Sequence, residues 1–397
     1  MNSCWKKNKL KDVCLMKYGK MPNKSDIVEE GYPIFSGYRV VGFHKTYLYK
    51  DPEVVLIARG VGGTGKVKIS PPYSFITNLS IVLQLKTKEV SKKFLFYKLS
   101  NSGLRSLDSG SAQSQITIAN LENYEIVIPS FNIQTKIASI LSAYDDLIEN
   151  NNRRIKILEE MAQTIYNEWF VKFRFSGYSK VKMVKSELGE IPEGWKVGTI
   201  GDVCIVTPGY AFKSKDWCSE GIPIIKIKNI KSDNTIDNQN VDYVPESLLN
   251  EGLDKFILEQ GDFLIAMTGA TAGKIGRLRT SIRMLLNQRV AKIKPLEEFD
   301  DYIWCLISTD GCQNLFFRLA DGAAQPNMSG SQIEKFKILI PGSHALKSFR
   351  EIVKPILKLM DNLFNKNVIL KDSRDILLPK LISGELDVEN LDIKVDN

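Results

Sequence analysis

At 397 residues, with 43% hydrophobic and 25% charged residues, the chain has the balance of a soluble globular protein with two or more domains. No apolar run approaches the ~18–20 residues that span a bilayer, and "MNSCWKKNKLKDV" holds no signal-peptide segment, so no membrane partner is expected and the expected compartment is the cytoplasm. The net charge of +8 hints at a polyanionic partner, while only two histidines and six cysteines without a C-x-x-C pair argue against a metal site, a redox motif or histidine acid–base chemistry.

The first apolar run, "VVLIA", leads into "IARGVGGTGKV" at 57–67, where Gly60, Gly65 and Lys66 match the core of a phosphate-binding loop. Such a loop needs a Ser or Thr after the lysine for Mg²⁺ and must open a helix. Val67 follows Lys66 here, and Pro71-Pro72 argue against a helix beyond it. A glycine turn between two strands is the expected structure. "SPPY" (70–73) resembles an amino-methyltransferase motif, but no strand–turn–helix cofactor loop accompanies it, and a Pro-Pro turn is the simpler reading. The strand "IVLQL" and a helical stretch near 92–107 follow, then "DSGSAQSQI" (108–116) and "YEIVIPS" (124–130).

Residues 131–172 lack Gly and Pro and are rich in helix formers. Ile133, Ile137, Ile140, Tyr144 and Leu147 alternate steps of four and three, which predicts a coiled-coil seam with Asn151 as its next position. Residues 173–194 are basic, punctuated by Gly and Pro, and read as a linker.

Beyond the linker the chain repeats itself. "WKKNKLKDVC" (5–14) returns as "WKVGTIGDVC" (195–204), Pro33-Ile34 as Pro223-Ile224, and the glycine turn as "IAMTGATAGKI" (265–275), with Lys274 facing Lys66. "ADGAAQPNM" (320–328) parallels 108–116, and "FKILIPG" (336–342) parallels 124–130. A second helical stretch near 301–319 matches the first. The second seam, Phe349, Val353, Ile356, Met360 and Leu363, repeats the first 216 residues on and again reaches an asparagine, Asn367. Pro355 and Pro379 are positions where this second helix is expected to kink. Two matching seams with Asn at one position predict helices that pair with each other, the asparagines fixing register. Related by an approximate two-fold axis, they must run antiparallel, and Asn151 and Asn367 lie within a turn of the seam midpoints, so the two should meet. At ~1.5 Å per residue a helix of roughly 40 residues is about 60 Å long, enough to hold two domains a turn of DNA or more apart.

The expected fold is therefore α+β: two repeated domains of mainly antiparallel β with short helices, separated by two long helices forming an antiparallel coiled coil, in a pseudo-two-fold internal repeat. The expected limits are domain one at 1–130, spacer helix at 131–172, linker at 173–194, domain two at 195–341, C-terminal spacer helix at 342–384 and tail at 385–397.

Taken in order, "LGEIPEGWKVGTIGDV", "GDFLIAMTGATAGKIG", "NQRVAKIKP", "AAQPN", "IPSFNIQTKIASILSAYDDLIENNNRRIKILEEM" and "LLPKLISGEL" resemble the specificity (S) subunits of type I restriction–modification systems over essentially the whole chain. The resemblance implies two target-recognition domains, each reading half of a split double-stranded DNA sequence, and two helices that dock two methyltransferase (M) subunits. It also implies that the chain has no catalytic site. Adenine methylation and ATP-driven cleavage would belong to the M and restriction/translocase (R) subunits, with S-adenosylmethionine, ATP and Mg²⁺ bound there. The first half reads "ARGVGGTGK" where T-G-A-T-x-G-K is common in the family.

Side chains must reach base edges to specify a sequence, while Lys and Arg on phosphates set position. Lys66 and Lys274 at the turn tips are candidate phosphate contacts. Arg39, Arg59, Lys226, Lys228, Asn229 and Arg277 are placed to reach a groove, and Gln113, Gln115, Gln288, Gln325 and Asn327 suit adenine or backbone contacts. For each Lys or Arg the competing reading is a solvated surface charge, and for the amides a turn-stabilising hydrogen bond. Trp5 and Trp195 are expected in the domain cores. Two other functions compete: the recognition subunit of a fused methyltransferase–nuclease system, and a stand-alone methyltransferase or ATPase built on Lys66 or the Pro71-Pro72 turn.

Overall fold

The computed structural model of the chain describes residues 5–60, 62–108, 114–320 and 326–393. They form two compact units, residues 1–149 with 369–397, and residues 150–368. The division cuts both long helices, so it does not follow the linear order of domain, helix, domain, helix. Each unit keeps a share of both helices because each domain core includes residues from both.

In the first unit, β1 (Lys6–Lys9) pairs with β10 (Glu125–Ile128) and closes the domain. One four-stranded sheet runs in the order β2 (Cys14–Tyr18), β9 (Ser80–Leu85), β6 (Val54–Ile57), β7 (Val67–Ile69), all antiparallel. The second sheet runs β3 (Ile27–Val28), β5 (Arg39–His44), β4 (Tyr32–Ser36), β8 (Phe75–Ile76), with β4 and β8 parallel. β6 is buried along its whole length, which is why it reads as a continuous apolar run. Its core continues through Phe94, Leu95 and Leu99 of the helix Lys92–Ser100 to Ile133, Ile137 and Leu141 of the long helix. That short helix ends at Ser100, and Gly103, at φ +59°, opens the 3-10 turn Leu104–Leu107.

The second unit begins, after its share of the central helix, with a hairpin of β11 (Met183–Ser186) and β12 (Gly189–Pro192). The predicted linker therefore carries structure: its Phe173 and Phe175, with Phe170 just before it, pack on buried Trp195 with ring centroids 5.7, 5.0 and 5.6 Å away. β13 (Lys196–Thr199) pairs with β22 (Lys337–Ile340) as β1 does with β10. The sheet of β14 (Cys204–Pro208), β21 (Val290–Pro295), β18 (Phe263–Ala266) and β19 (Ile275–Arg277) repeats the first four-stranded order. In the other sheet, β16 (Asp242–Val244), β15 (Ile222–Ile225) and β20 (Met284–Leu286) match β5, β4 and β8. The fourth strand, β17 (Ile257–Leu258), joins at the β20 edge, whereas β3 joins at the opposite edge in the first unit.

The central helix spans Phe131–Tyr166 and passes into a π turn at Asn167–Val171; the C-terminal helix spans Ser343–Ser383, unbroken through Pro355 and Pro379. Within the second unit the pair is antiparallel: Asn151 lies beside Asn367, and Trp169 lies 6.0 Å from Phe349 between ring centroids. Asn151 Nδ2 donates to Asn367 Oδ1 at 2.8 Å, and Asn367 Nδ2 donates to Asn152 Oδ1 at 2.8 Å. Both Asn151 and Asn367 are buried, so the pair satisfies polar groups that would each cost about 1–3 kcal/mol if left alone. In the first unit Arg374 of the C-terminal helix contacts Asp145 of the central helix at 2.5 Å. The first seam departs from the expected positions at Leu147, which is exposed, while Leu141, Ile148 and Ile155 are buried. Ile133, Ile137 and Leu141 follow two successive steps of four because they pack on the domain core as well, and this moves the later seam along by one residue.

Candidate nucleic-acid interface

The glycine turn of the first unit leaves β6 and returns as β7, a strand–turn–strand path with no helix behind it. Gly62 and Gly65 hold φ +78° and +86°. Gly65 has a second constraint: a Cβ there would sit 2.7 Å from the Arg105 nitrogen, so the turn lies directly on the Leu104–Leu107 segment. Its closure is a backbone exchange in which Gly65 N–H donates to Ile57 O and Ile57 N–H donates to Lys66 O, both at 2.9 Å. Lys66 is left exposed at the tip. Beside it, Arg59 forms an isolated antiparallel bridge with Gln115, and Ile116 N–H donates to Ala58 O at 2.9 Å. Gln115 N–H also donates to Asp108 Oδ1 at 2.7 Å. The tip of the β4–β5 hairpin brings Tyr38 and Arg39 to the same place, since a methyl on Gly63 would lie 3.8 Å from Tyr38 Cδ1.

The second unit builds the same junction. Gly273 N–H donates to Ala266 O at 2.8 Å and Ala266 N–H to Lys274 O at 2.9 Å. A Cβ on Gly273 would lie 2.6 Å from Gln313 O, so this turn rests on the helix Asp310–Ala320. Thr268 bridges Asn327, and Met328 N–H donates to Met267 O at 2.9 Å. These bonds fix a register that the gap-free sequence match misses. Ile57 is equivalent to Ala266 and Arg59 to Thr268, because the first turn is one residue longer. Gln288 is exposed next to this junction, its N–H bound to Tyr210 O, and the adjacent Arg289 carbonyl accepts from Met267 N–H at 2.9 Å.

Arg39, Arg59, Lys66 and Gln115 are thus gathered at one end of the first unit, and Lys274, Gln288 and Asn327 at the matching end of the second. Gln113 and Gln325 lie outside the described residues. Two candidates are corrected. Asn229 is only 1% exposed; its Nδ2 donates to Asp237 O (3.0 Å) and Asn240 O (2.9 Å), and its Oδ1 accepts from Lys226 N–H at 3.0 Å. It closes a loop from within the domain. The Arg277 side chain is 12% exposed and lies 3.5 Å from Asp361 and 3.7 Å from Asp300, among Phe263 and Trp304, so it ties β19 to the C-terminal helix. Lys226 sits 3.4 Å from the Trp217 ring centroid and 3.0 Å from Asp242, and Lys228 sits 2.8 Å from the same carboxylate. Hydrogen bonds from Lys228 and Lys226 hold the Asp242 carboxyl below its ordinary range, so this pair is partly neutralised within the domain.

Sequence reasoning passed over Arg289, exposed and directly after Gln288 in "NQR". It also passed over Arg279, whose Nε donates to Asp361 at 3.1 Å while its guanidinium lies 3.9 Å from the Phe364 ring centroid. The alternation Arg277-x-Arg279 was the available signal, since extended chain puts residues two apart on one side, and both reach Asp361 although β19 ends at Arg277. Of the two histidines, His44 stacks on Phe75 at 4.0 Å, a core contact. Ser70 of the Pro-Pro turn accepts Glu53 N–H at 3.0 Å, also a structural role. No helix among the described residues is long and apolar enough to cross a membrane.

A family model described as the type I restriction modification DNA specificity domain matches residues 2–160 and 192–377. The MjaVIII specificity subunit of a type I restriction enzyme from Methanocaldococcus jannaschii is 27% identical over 356 residues, covering 88% of this chain and 82% of that protein. The HindI specificity subunit of Haemophilus influenzae is 23% identical over 403 residues, covering 86% and 83%. In fold, the chain resembles the crystal structure of a type I S subunit from M. genitalium with a TM-score of 0.63, at 20% identity, over 96% of this chain and 97% of that one.

Proposed function

The chain belongs to the type I restriction modification DNA specificity family, and on that premise we propose how its two units divide the work. It is a sequence-specific DNA-recognition subunit with one domain for each half of a bipartite target. The observation that carries the division is the duplicated junction: a Gly-Lys turn closed by the same backbone exchange, beside an Arg59–Gln115 bridge in one unit and a Thr268–Asn327 bridge in the other. Lys66 and Lys274 set the protein on phosphates, while Arg39, Arg59 and Gln115, and Gln288, Arg289 and Asn327, face base edges. Lys228 is a further phosphate contact shared with Asp242.

Recognition alone transfers no methyl group and cuts no strand. We assign those reactions to two M subunits and to R subunits, with S-adenosylmethionine, ATP and Mg²⁺ bound on those partners and cytoplasmic DNA as the target. The strand–turn–strand path of both glycine turns supports this, because a phosphate loop needs the dipole and free N–H groups of a following helix. The test is salt titration of DNA binding by the complex. Neutralising Lys66 or Lys274 to Gln is expected to weaken binding to all sequences alike and to flatten the slope of log K against log salt by about one. Unchanged slopes for both variants would remove the turns from the interface.

A further inference from the structure

The junction register allows the two reading ends to be compared position by position. In each unit the chain leaving the first strand of the four-stranded sheet is pinned beside the junction. Gly19 N–H donates to Ser80 O at 3.1 Å and Lys20 N–H to Ile76 O at 2.9 Å; Gly209 and Tyr210 make the same bonds to Val290 and Leu286 at 2.9 and 2.8 Å. Ala58 N–H and Arg59 N–H both reach Leu79 O, at 2.9 and 3.2 Å, where Met267 N–H reaches Arg289 O. Leu79 is therefore the counterpart of Arg289, and Met21 of Ala211. The hairpin tip adds Tyr38 beside Gly63.

These three side chains of the first unit are apolar and open: Met21 is 73% exposed, Tyr38 56% and Leu79 40%. At the positions matching Met21 and Leu79 the second unit carries a small residue, Ala211, and a cation, Arg289. Exposed apolar groups scattered singly need no explanation, but these share the junction end of one domain: Leu79 O accepts the Arg59 N–H, Tyr38 precedes Arg39 beside Gly63, and Met21 follows Lys20, which is bonded to Ile76. The edge of a base pair in the major groove offers one apolar group, the thymine C5 methyl, which is read by apolar contact and not by a hydrogen bond.

Resting on the recognition reading above, we infer that the first domain selects its half-site through thymine C5 methyl groups packed against Met21, Tyr38 and Leu79, whereas the second domain reads its half-site by polar contacts from Gln288, Arg289 and Asn327. Burying one methyl is worth about four-fold in affinity, so one to three such contacts correspond to roughly 4- to 60-fold.

The experiment uses the full chain in complex with its methyltransferase partner and duplexes carrying the methylated motif. The half-site of the first domain is the one left unchanged when residues 195–341 are exchanged. Replacing its thymines by uracil, which removes only the methyls, is expected to weaken binding by that factor. The same replacement in the other half-site is expected to leave binding within two-fold. Leu79→Ala and Met21→Ala, both at exposed positions, are expected to lower the thymine-over-uracil preference in the first half-site only. A complex that binds its motif specifically yet ignores uracil in that half-site overturns the inference while leaving bipartite recognition intact. So does a first half-site without thymine, or a preference that both variants retain. Failure to bind any motif specifically would instead strike the recognition reading, and this inference with it.

Discussion

The two recognition units share one sheet and differ in the other. In both, the four-stranded sheet that carries the Gly-Lys turn has the same strand order and the same turn-closing hydrogen bonds. The second sheet keeps only three equivalent strands. In the second unit its core includes Ile224, Leu253, Phe256, Leu264 and Leu285, covered by the long excursion between β15 and β17. In the first unit the corresponding cluster among the described residues is smaller, Phe35, Val55, Ile76 and Val82 with Tyr49 packed against it, and Val40, Val41 and Phe43 of β5 stay exposed. The lesson is that the turn and its bridge are the fixed part of this architecture. The second sheet and its loops differ between the two units.

The attachment of each domain to the helices differs in the same way. Asp145 and Asp361 hold equivalent repeat positions. Asp145 accepts from Tyr97 Oη at 2.6 Å and from Arg374 at 2.5 Å, in a partly exposed setting. Asp361 meets Arg277 and Arg279, whose side chains are almost wholly covered. Burial draws the Arg279 guanidinium below its ordinary pKa while Asp361 pulls it back. Removing the shared partner leaves covered guanidiniums uncompensated, so Asp361→Ala, which takes the carboxylate from both Arg277 and Arg279, is expected to cost about 3–5 kcal/mol. Arg374→Ala should cost about 1 kcal/mol, as for more exposed pairs. Denaturant unfolding of both variants checks the contrast, and equal losses would break it.

A second difference lies at the start of the short helices, Lys92-Lys93 in the first unit against Asp300-Asp301 in the second. Burial, with the neighbouring Asp300 charge, raises the Asp301 carboxyl to about 6, although Arg350 opposes the shift. A carboxyl raised on folding stabilises the protein most when protonated, and that contribution is lost as pH rises from about 4 to 6. Asp301→Asn should therefore gain stability relative to the parent across that window, by as much as about 3 kcal/mol. Melting temperatures of the two proteins at pH 4 and pH 7 test this; a constant difference would show that Asp301 does not titrate there.

The asparagine pair should give a smaller effect. Asn367→Ala strands the buried Asn151 and is expected to cost about 1–3 kcal/mol, whereas leucine at both 151 and 367 should restore stability because two apolar seam positions need no partner. A double leucine variant less stable than Asn367→Ala would contradict that account.

Much of this was legible in the residues. The repeat exposed the two domains, the apolar steps exposed the long helices, and Asn151 with Asn367 exposed their register, because each depends on local period or on copying. The failures share another cause. Asn229 and Arg277 are polar residues buried by partners that their type does not announce: Asn240 across a loop, and Asp361 on a helix 84 residues away. A side chain's type does not reveal whether a partner will bury it. Leu147 yielded to Ile148 because the domain core, not the partner helix alone, sets the start of the stripe. The one-residue difference between the glycine turns is visible only through the backbone bonds that close them.

The central claim is that each repeat reads its own half-site. Exchanging residues 195–341 for the matching segment of another specificity subunit, then sequencing the methylated motif in cells carrying the methyltransferase partner, tests it most directly. The account predicts that one half of the motif changes and the other stays as it was. A change in both halves would contradict it.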